Sequence, residues 1–242
     1  MMIKRNLYKF LWISAFFAVS SNASDISITN LDKIEMGAKI VGPVGPEVEV
    51  SLIDKNGDSL GDLTSSVSCP EDMDECIVSK NPSGTIYTYQ HTVIPGVDKA
   101  NDKPFPNPET VINFENVKRF SLGFEASGFN GVAGYSYTAA QNAKLSFEVH
   151  QSSTGELVWT ISSGAWDTGE AITFFWQTTQ APSGPGGKYN ASNADNSATG
   201  RGPLPRPIES TLATQVPAPV TFGMLVAGIL WLFARDRRAI KK

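Results

Sequence analysis

Between Glu47 and Leu52 the side chains alternate: Val48, Val50 and Leu52 are set among Glu47, Glu49 and Ser51, and Asn56-Gly57 follows at once. A period of two puts the three apolar residues on one face of a strand. Asn-Gly is the dipeptide a two-residue hairpin turn favours, because both turn positions take positive φ. A half-buried strand running into a tight turn predicts an antiparallel sheet. The pattern recurs along the chain, where residues 85–93, 110–114, 119–125, 143–150, 157–161 and 171–177 read as strands and Ser153-Thr154-Gly155 as a turn. No stretch of residues 24–180 carries a 3.6-residue apolar stripe. Short strands at near-regular spacing, separated by Gly, Pro and Asn, predict an all-β domain, an antiparallel β-sandwich or jelly roll.

Residues 24–180 are one domain's worth of chain and enough to bury a core. Residues 181–215 change character: rich in Pro, Gly, Ser, Asn and Ala, they read as a flexible stalk. Beyond them lies an apolar run over residues 220–233, followed by Arg235, Arg237, Arg238, Lys241 and Lys242. Such a run in lipid must be a helix, because no water satisfies its backbone. At ~1.5 Å per residue it spans roughly 21 Å, short of the ~30 Å hydrocarbon core, so it is a marginal single span. The basic end is expected on the cytoplasmic side. At the other terminus Lys4, Arg5 and Lys9 precede an apolar stretch over residues 10–19, with small residues up to Ala23. Residues 1–23 therefore read as a secretory signal peptide cut between Ala23 and Ser24.

With both ends placed, Val216-Pro217-Ala218-Pro219, the apolar helix and the arginine-rich end resemble the PEP-CTERM sorting signal of Gram-negative bacteria. That family's motif is Val-Pro-Glu-Pro, and Ala218 stands where it has Glu. The resemblance covers residues 216–242. It implies transient residence in the inner membrane, processing by an exosortase, and delivery to the cell surface or extracellular matrix of a host that makes exopolysaccharide or biofilm. The segment 89–130, with HTVIPGVDKANDKPFPNPETV and SLGFEASGFNG, looks like the body of small exosortase-dependent surface proteins.

Between the two end segments the chain keeps 12 basic residues against 23 acidic ones. A balance of that sign excludes nucleic acid as a partner, because its phosphates would be repelled. Cys69 and Cys76 are the only cysteines and, in an exported chain, are expected to form a disulfide. The two histidines, His91 and His150, sit in separate strands with no acid or nucleophile beside them, and both read as structural. No nucleophile elbow, zinc-binding His-Glu-x-x-His or phosphate loop is present. The expected class is therefore a non-enzymatic surface protein without a resident cofactor. The alternatives are a carbohydrate-binding module and a polysaccharide-acting enzyme built on a carboxylate pair whose separation sequence does not give.

Two constellations qualify as candidate sites. Asp54, Asn56, Asp58 and Asp62 place oxygen ligands at alternate positions, as calcium loops do, although no bidentate Glu closes the loop and Asp-x-Asn-Gly also suits an ordinary turn. Trp159, Trp166, Phe174, Phe175 and Trp176 cluster in sequence. Alternation assigns Trp159, Phe174 and Trp176 to the core, and Trp166, in a Gly-flanked loop, is the candidate sugar contact.

Overall fold

The computed structural model describes residues 24–40 and 47–208. The expected signal peptide (1–23) and the expected sorting tail (216–242), with the helix expected over its apolar run, lie outside the described residues. Among the described residues no helix is long and apolar enough to cross a membrane.

The described chain is all-β. In order it forms β1 (Ser24–Ile26), β2 (Ile28–Asn30), a 3-10 turn (Leu31–Lys33), β3 (Met36–Lys39), β4 (Glu47–Ile53), β5 (Ser59–Pro70), β6 (Tyr87–Pro95), β7 (Arg119–Leu122), β8 (Phe129–Tyr135), the short helix α1 (Tyr137–Asn142), β9 (Ser146–Gln151), β10 (Leu157–Ser163), β11 (Ile172–Thr178), β12 (Pro182–Ser192) and β13 (Ser197–Pro205). One sheet runs β1-β9-β10-β7-β12-β13-β4-β5-β6-β11-β8-β2, with β3 attached to β5. The alternation at Glu47–Ile53 does form β4, and Asp54 accepts the Gly57 amide in the turn to β5, where Gly57 takes φ +93°.

The two ends of this path meet. β1 pairs antiparallel with β9 and β2 pairs parallel with β8, yet only Ser27 separates β1 from β2. A single short segment thus covers both outermost strands, which would otherwise present unpaired edges. The pairing needs Gly134 on β8: a Cβ there would lie 1.9 Å from the Thr29 carbonyl oxygen. The seam is reinforced by Trp159, whose Nε1–H on β10 donates to the Gly134 carbonyl at 2.9 Å, and by the Phe147 amide, which donates to Tyr135 Oη at 3.3 Å.

The stalk expected over residues 181–215 is corrected by β12 and β13. On β12 Gly187, Tyr189 and Ala191 face inward, and on β13 Ala198, Gly200 and Gly202 do so, while Lys188, Asn190, Thr199 and Arg201 face out. The period of two is present, but its inward members are small because large neighbours fill the space. A Cβ at Gly200 would meet Leu63 at 2.8 Å, and one at Gly202 would meet Tyr189 at 2.7 Å. The expected strand at 110–114 is also absent; Val111 makes only an isolated bridge to Ser59.

Large aromatics from the two halves of the path meet in the core. Phe120 on β7 stacks on Phe174 of β11 at 4.7 Å, and Phe147 on β9 meets the same ring edge-on at 5.1 Å. His91 lies among them, fully buried, with Tyr189 at 4.1 Å. Trp176 Nε1–H donates to His91 Nε2 at 3.2 Å. An indole nitrogen only donates, so Nε2 is the unprotonated nitrogen and Nδ1–H faces Ser65 Oγ at 3.0 Å. Burial lowers the imidazole from 6.5 to about 3.

An unfolded His91 therefore binds a proton that the folded chain refuses. Its contribution to stability is complete above ~6.5 and is lost as the pH falls toward 3, by up to about 1.4 kcal/mol per pH unit. Denaturant titrations between pH 7 and 4 should show this slope, and His91→Gln should remove that part of it while lowering stability at pH 7.

Candidate functional site

The four oxygens proposed as calcium ligands are not brought together. Asp54 caps its own turn: Oδ1 accepts the amides of Asn56 at 2.8 Å and Asp58 at 3.0 Å, and Oδ2 accepts Asn56 Nδ2 at 2.9 Å. Desolvation opposes ionisation of Asp54, but the donors from Asn56, Asp58 and Gly57 outweigh it and hold the carboxyl below its usual range. Asp62 stands instead on β5 opposite Ser51, fully buried, and accepts from Thr64 Oγ1 at 3.1 Å and the Lys99 amide at 3.3 Å. Among the described residues no three acids, histidines or cysteines group as a metal site. The Asp-x-Asn-Gly pattern serves the turn.

Trp166 is likewise corrected. It is completely buried, donates Nε1–H to the Glu170 carbonyl at 2.7 Å, and meets Phe147 and Phe174 edge-on at 5.8 and 5.4 Å. Its glycine-flanked loop is a tight turn, with the Asp167 amide on Glu170 Oε2 at 2.8 Å, that folds the ring inward. Trp159, Phe174 and Trp176 are core, as their alternation predicts. Cys69 and Cys76 form the expected disulfide, which closes a short loop between β5 and β6.

A different place has the form of a site. After β6, residues 97–109 return across the face of β4 and β5 that points away from the core. The Asp102 amide donates to the Glu49 carbonyl at 2.9 Å, and the Glu49 amide donates to Asp102 Oδ2 at 3.1 Å. Ser51 Oγ donates to Asp98 Oδ1 at 3.0 Å and accepts Asn101 Nδ2 at 2.8 Å. Lys99 Nζ lies 3.3 Å from Glu49 and 3.8 Å from Asp62. Burial raises the Asp62 carboxyl above its usual range, a shift that Thr64 and Lys99 only partly offset. Asp98 Oδ2 and Asn101 Oδ1 are buried and receive no donor among the described residues.

This pinned segment forms one wall of a cleft of about 470 Å³ whose floor includes Val50, Ile53 and Thr199 and whose walls carry Asn101, Phe105 and Arg201. A second cleft of about 300 Å³, between Pro104 and residues 183–186, shares Phe105 and Arg201 with the first. The two adjoin at Phe105 and Arg201, and the pair is referred to as the trough along β13. From Thr199 to Leu204 it runs roughly 17 Å at ~3.4 Å per residue. Its chemistry is an aromatic ring between prolines, amides, one guanidinium and the carboxylate of Glu109.

Sequence reasoning missed these residues because Arg201 falls in the stretch read as a stalk. The available signal was Pro104-Phe105-Pro106, an aromatic whose flanking prolines withhold amides from a sheet and keep the segment out of the ladder.

Trp166→Ala should act as a core truncation, costing about 3–5 kcal/mol. Thermal or urea unfolding checks this, and an unchanged midpoint would return Trp166 to the surface.

No protein-family model, curated protein or solved structure matches this chain.

Proposed function

We propose that the chain is a non-enzymatic exported protein of the cell surface or extracellular matrix of a Gram-negative bacterium, sorted by an exosortase-type peptidase and associated with exopolysaccharide or biofilm. The observation that carries this reading is the tripartite tail: Val216-Pro217-Ala218-Pro219, the apolar run over residues 220–233, and the basic cluster from Arg235 to Lys242. Two further features support it. The Cys69–Cys76 disulfide suits an oxidising compartment. Among the described residues the last strand, β13, ends at Pro205, ahead of the sorting motif in the sequence.

In this reading the domain is an antiparallel β-sandwich of jelly-roll type, with the β5-β6-β11-β8 half packed on the β9-β10-β7-β12 half through the aromatic core. Its attachment to the surface runs through β13. That strand lies between β12 and β4, so a pull on the C-terminus loads a strand hydrogen-bonded on both sides. A domain held this way resists shear along the ladder, as a matrix component must.

Mass spectrometry of the surface fraction should find a species that begins at Ser24 and lacks residues 220–242. Replacing Pro217-Ala218-Pro219 with Ala-Ala-Ala should leave the protein in the inner membrane. Peptides from residues 231–242 in surface material would overturn the sorting reading.

A further inference from the structure

We infer that the trough along β13 binds an acidic polysaccharide, a pyranose chain whose rings bear carboxylates. The inference deepens the surface-protein reading, which supplies the setting in which such a polymer is met, but it stands on residues outside the sorting tail.

The first observation is electrostatic. Arg201 on β13 is paired in register with Lys188 on β12, so the two cations project side by side from the outer face. Like charges directly opposite each other destabilise a sheet. Neither forms an ion pair among the described residues, where the salt bridges are Lys39–Glu47 and Lys99 with Glu49 and Asp62. Two adjacent cations without a counter-ion, in a chain whose acids outnumber its bases, leave a local positive field for an external anion. Glu109 lies on the same cleft lining, so the trough is not uniformly basic; its positive charge is Arg201, where the two clefts adjoin, with Lys188 next to it on β12 outside the lining.

The second observation is shape. The two clefts adjoin at Phe105 and Arg201, which line both, so together they offer an elongated surface rather than a closed pocket for a small ion. Beside Arg201 the floor at Gly184 and Gly186 carries no side chain, which lets a broad ring approach the sheet. Phe105, half-buried against the core, still lines both clefts and gives them an apolar surface for the C–H face of a pyranose. A guanidinium fork is the donor geometry that matches a carboxylate with two parallel hydrogen bonds. Thr199, exposed further along β13, donates its hydroxyl to Asn190 Oδ1 at 2.8 Å and keeps an acceptor lone pair for a hydroxyl of the next ring.

The third observation is preorganisation. The wall that carries Phe105 is held before any ligand arrives: the Phe105 amide donates to the Asp102 carbonyl at 2.8 Å, and the Asn101 amide donates to Asn107 Oδ1 at 2.7 Å. A wall already ordered loses little conformational freedom on binding.

The test uses the full-length chain purified in detergent, with polygalacturonate as the acidic probe and dextran as the neutral one, in affinity electrophoresis or biolayer interferometry. The expected result is binding to polygalacturonate that weakens as salt rises, with none to dextran. Arg201→Ala and Phe105→Ala should each weaken it at least tenfold with the melting temperature unchanged. Lys80→Ala, which removes the same charge from an exposed turn remote from the trough, should leave it intact. Absence of binding to polygalacturonate, equal binding to dextran, insensitivity to both trough variants, or an equal loss with Lys80→Ala would each overturn the inference. None of these outcomes alters the processing of the tail, so failure of the trough and failure of the sorting reading are told apart.

Discussion

Seven residues, 24–30, hold the two ends of the sheet together, and the arrangement of the other strands depends on them. β1 is hydrogen-bonded to β9 and β2 to β8, one antiparallel and the other parallel, with a single residue between. The change of partner at Ser27 makes a twelve-strand path circular and leaves neither β8 nor β9 as a bare edge. Continuation of the same segment secures it further. Asn30 Oδ1 accepts the Tyr137 amide at 3.2 Å and Asp32 Oδ2 accepts the Thr138 amide at 2.7 Å, tying the 3-10 turn to the start of α1. Closure also confines the aromatic rings, since Trp159 can reach Gly134 only when β10 and β8 face each other across the seam.

What the sequence displays of this fold follows from where bulk is carried. β4, β6, β9, β10 and β11 have large apolar residues at alternate positions, and each is legible. β12 and β13 obey the same alternation with Gly and Ala inward, because Tyr189, Leu52 and Leu63 reach into the space from neighbouring strands. Read without those partners, GPGGKYNAS and SATGRGPLP have the composition of a linker. β1 and β2 were hidden for another reason: three-residue strands have too few positions to show a period. β5 was hidden by its burial on both faces, since Asp62, Ser65, Ser66 and Ser68 are buried polar residues on a strand whose outer side is covered.

The same contrast governs the candidate sites. Trp166 and the Asp54 loop were chosen from residue type, and both types serve local folding: a tryptophan tucked in by a four-residue turn, and a carboxylate that caps the hairpin it sits in. The trough depends on relations that sequence does not state. Phe105 and Arg201 are far apart along the chain and meet because residues 97–109 are pinned by Glu49, Ser51 and Asp62, while the cation pair of Lys188 and Arg201 exists only through the β12–β13 register. The cysteine pair was legible because the chain has only two cysteines, seven positions apart, which leaves one partner for each thiol.

Native-state hydrogen exchange on the mature protein tests the closed sheet most directly. If residues 24–30 close it, the hydrogen-bonded amides of β1 and β2 belong to the global unfolding unit and exchange as slowly as those of β6 and β11. Fast exchange in β1 and β2, with β6 and β11 still protected, would mean that the N-terminal strands fray on their own and that the sheet holds together without them.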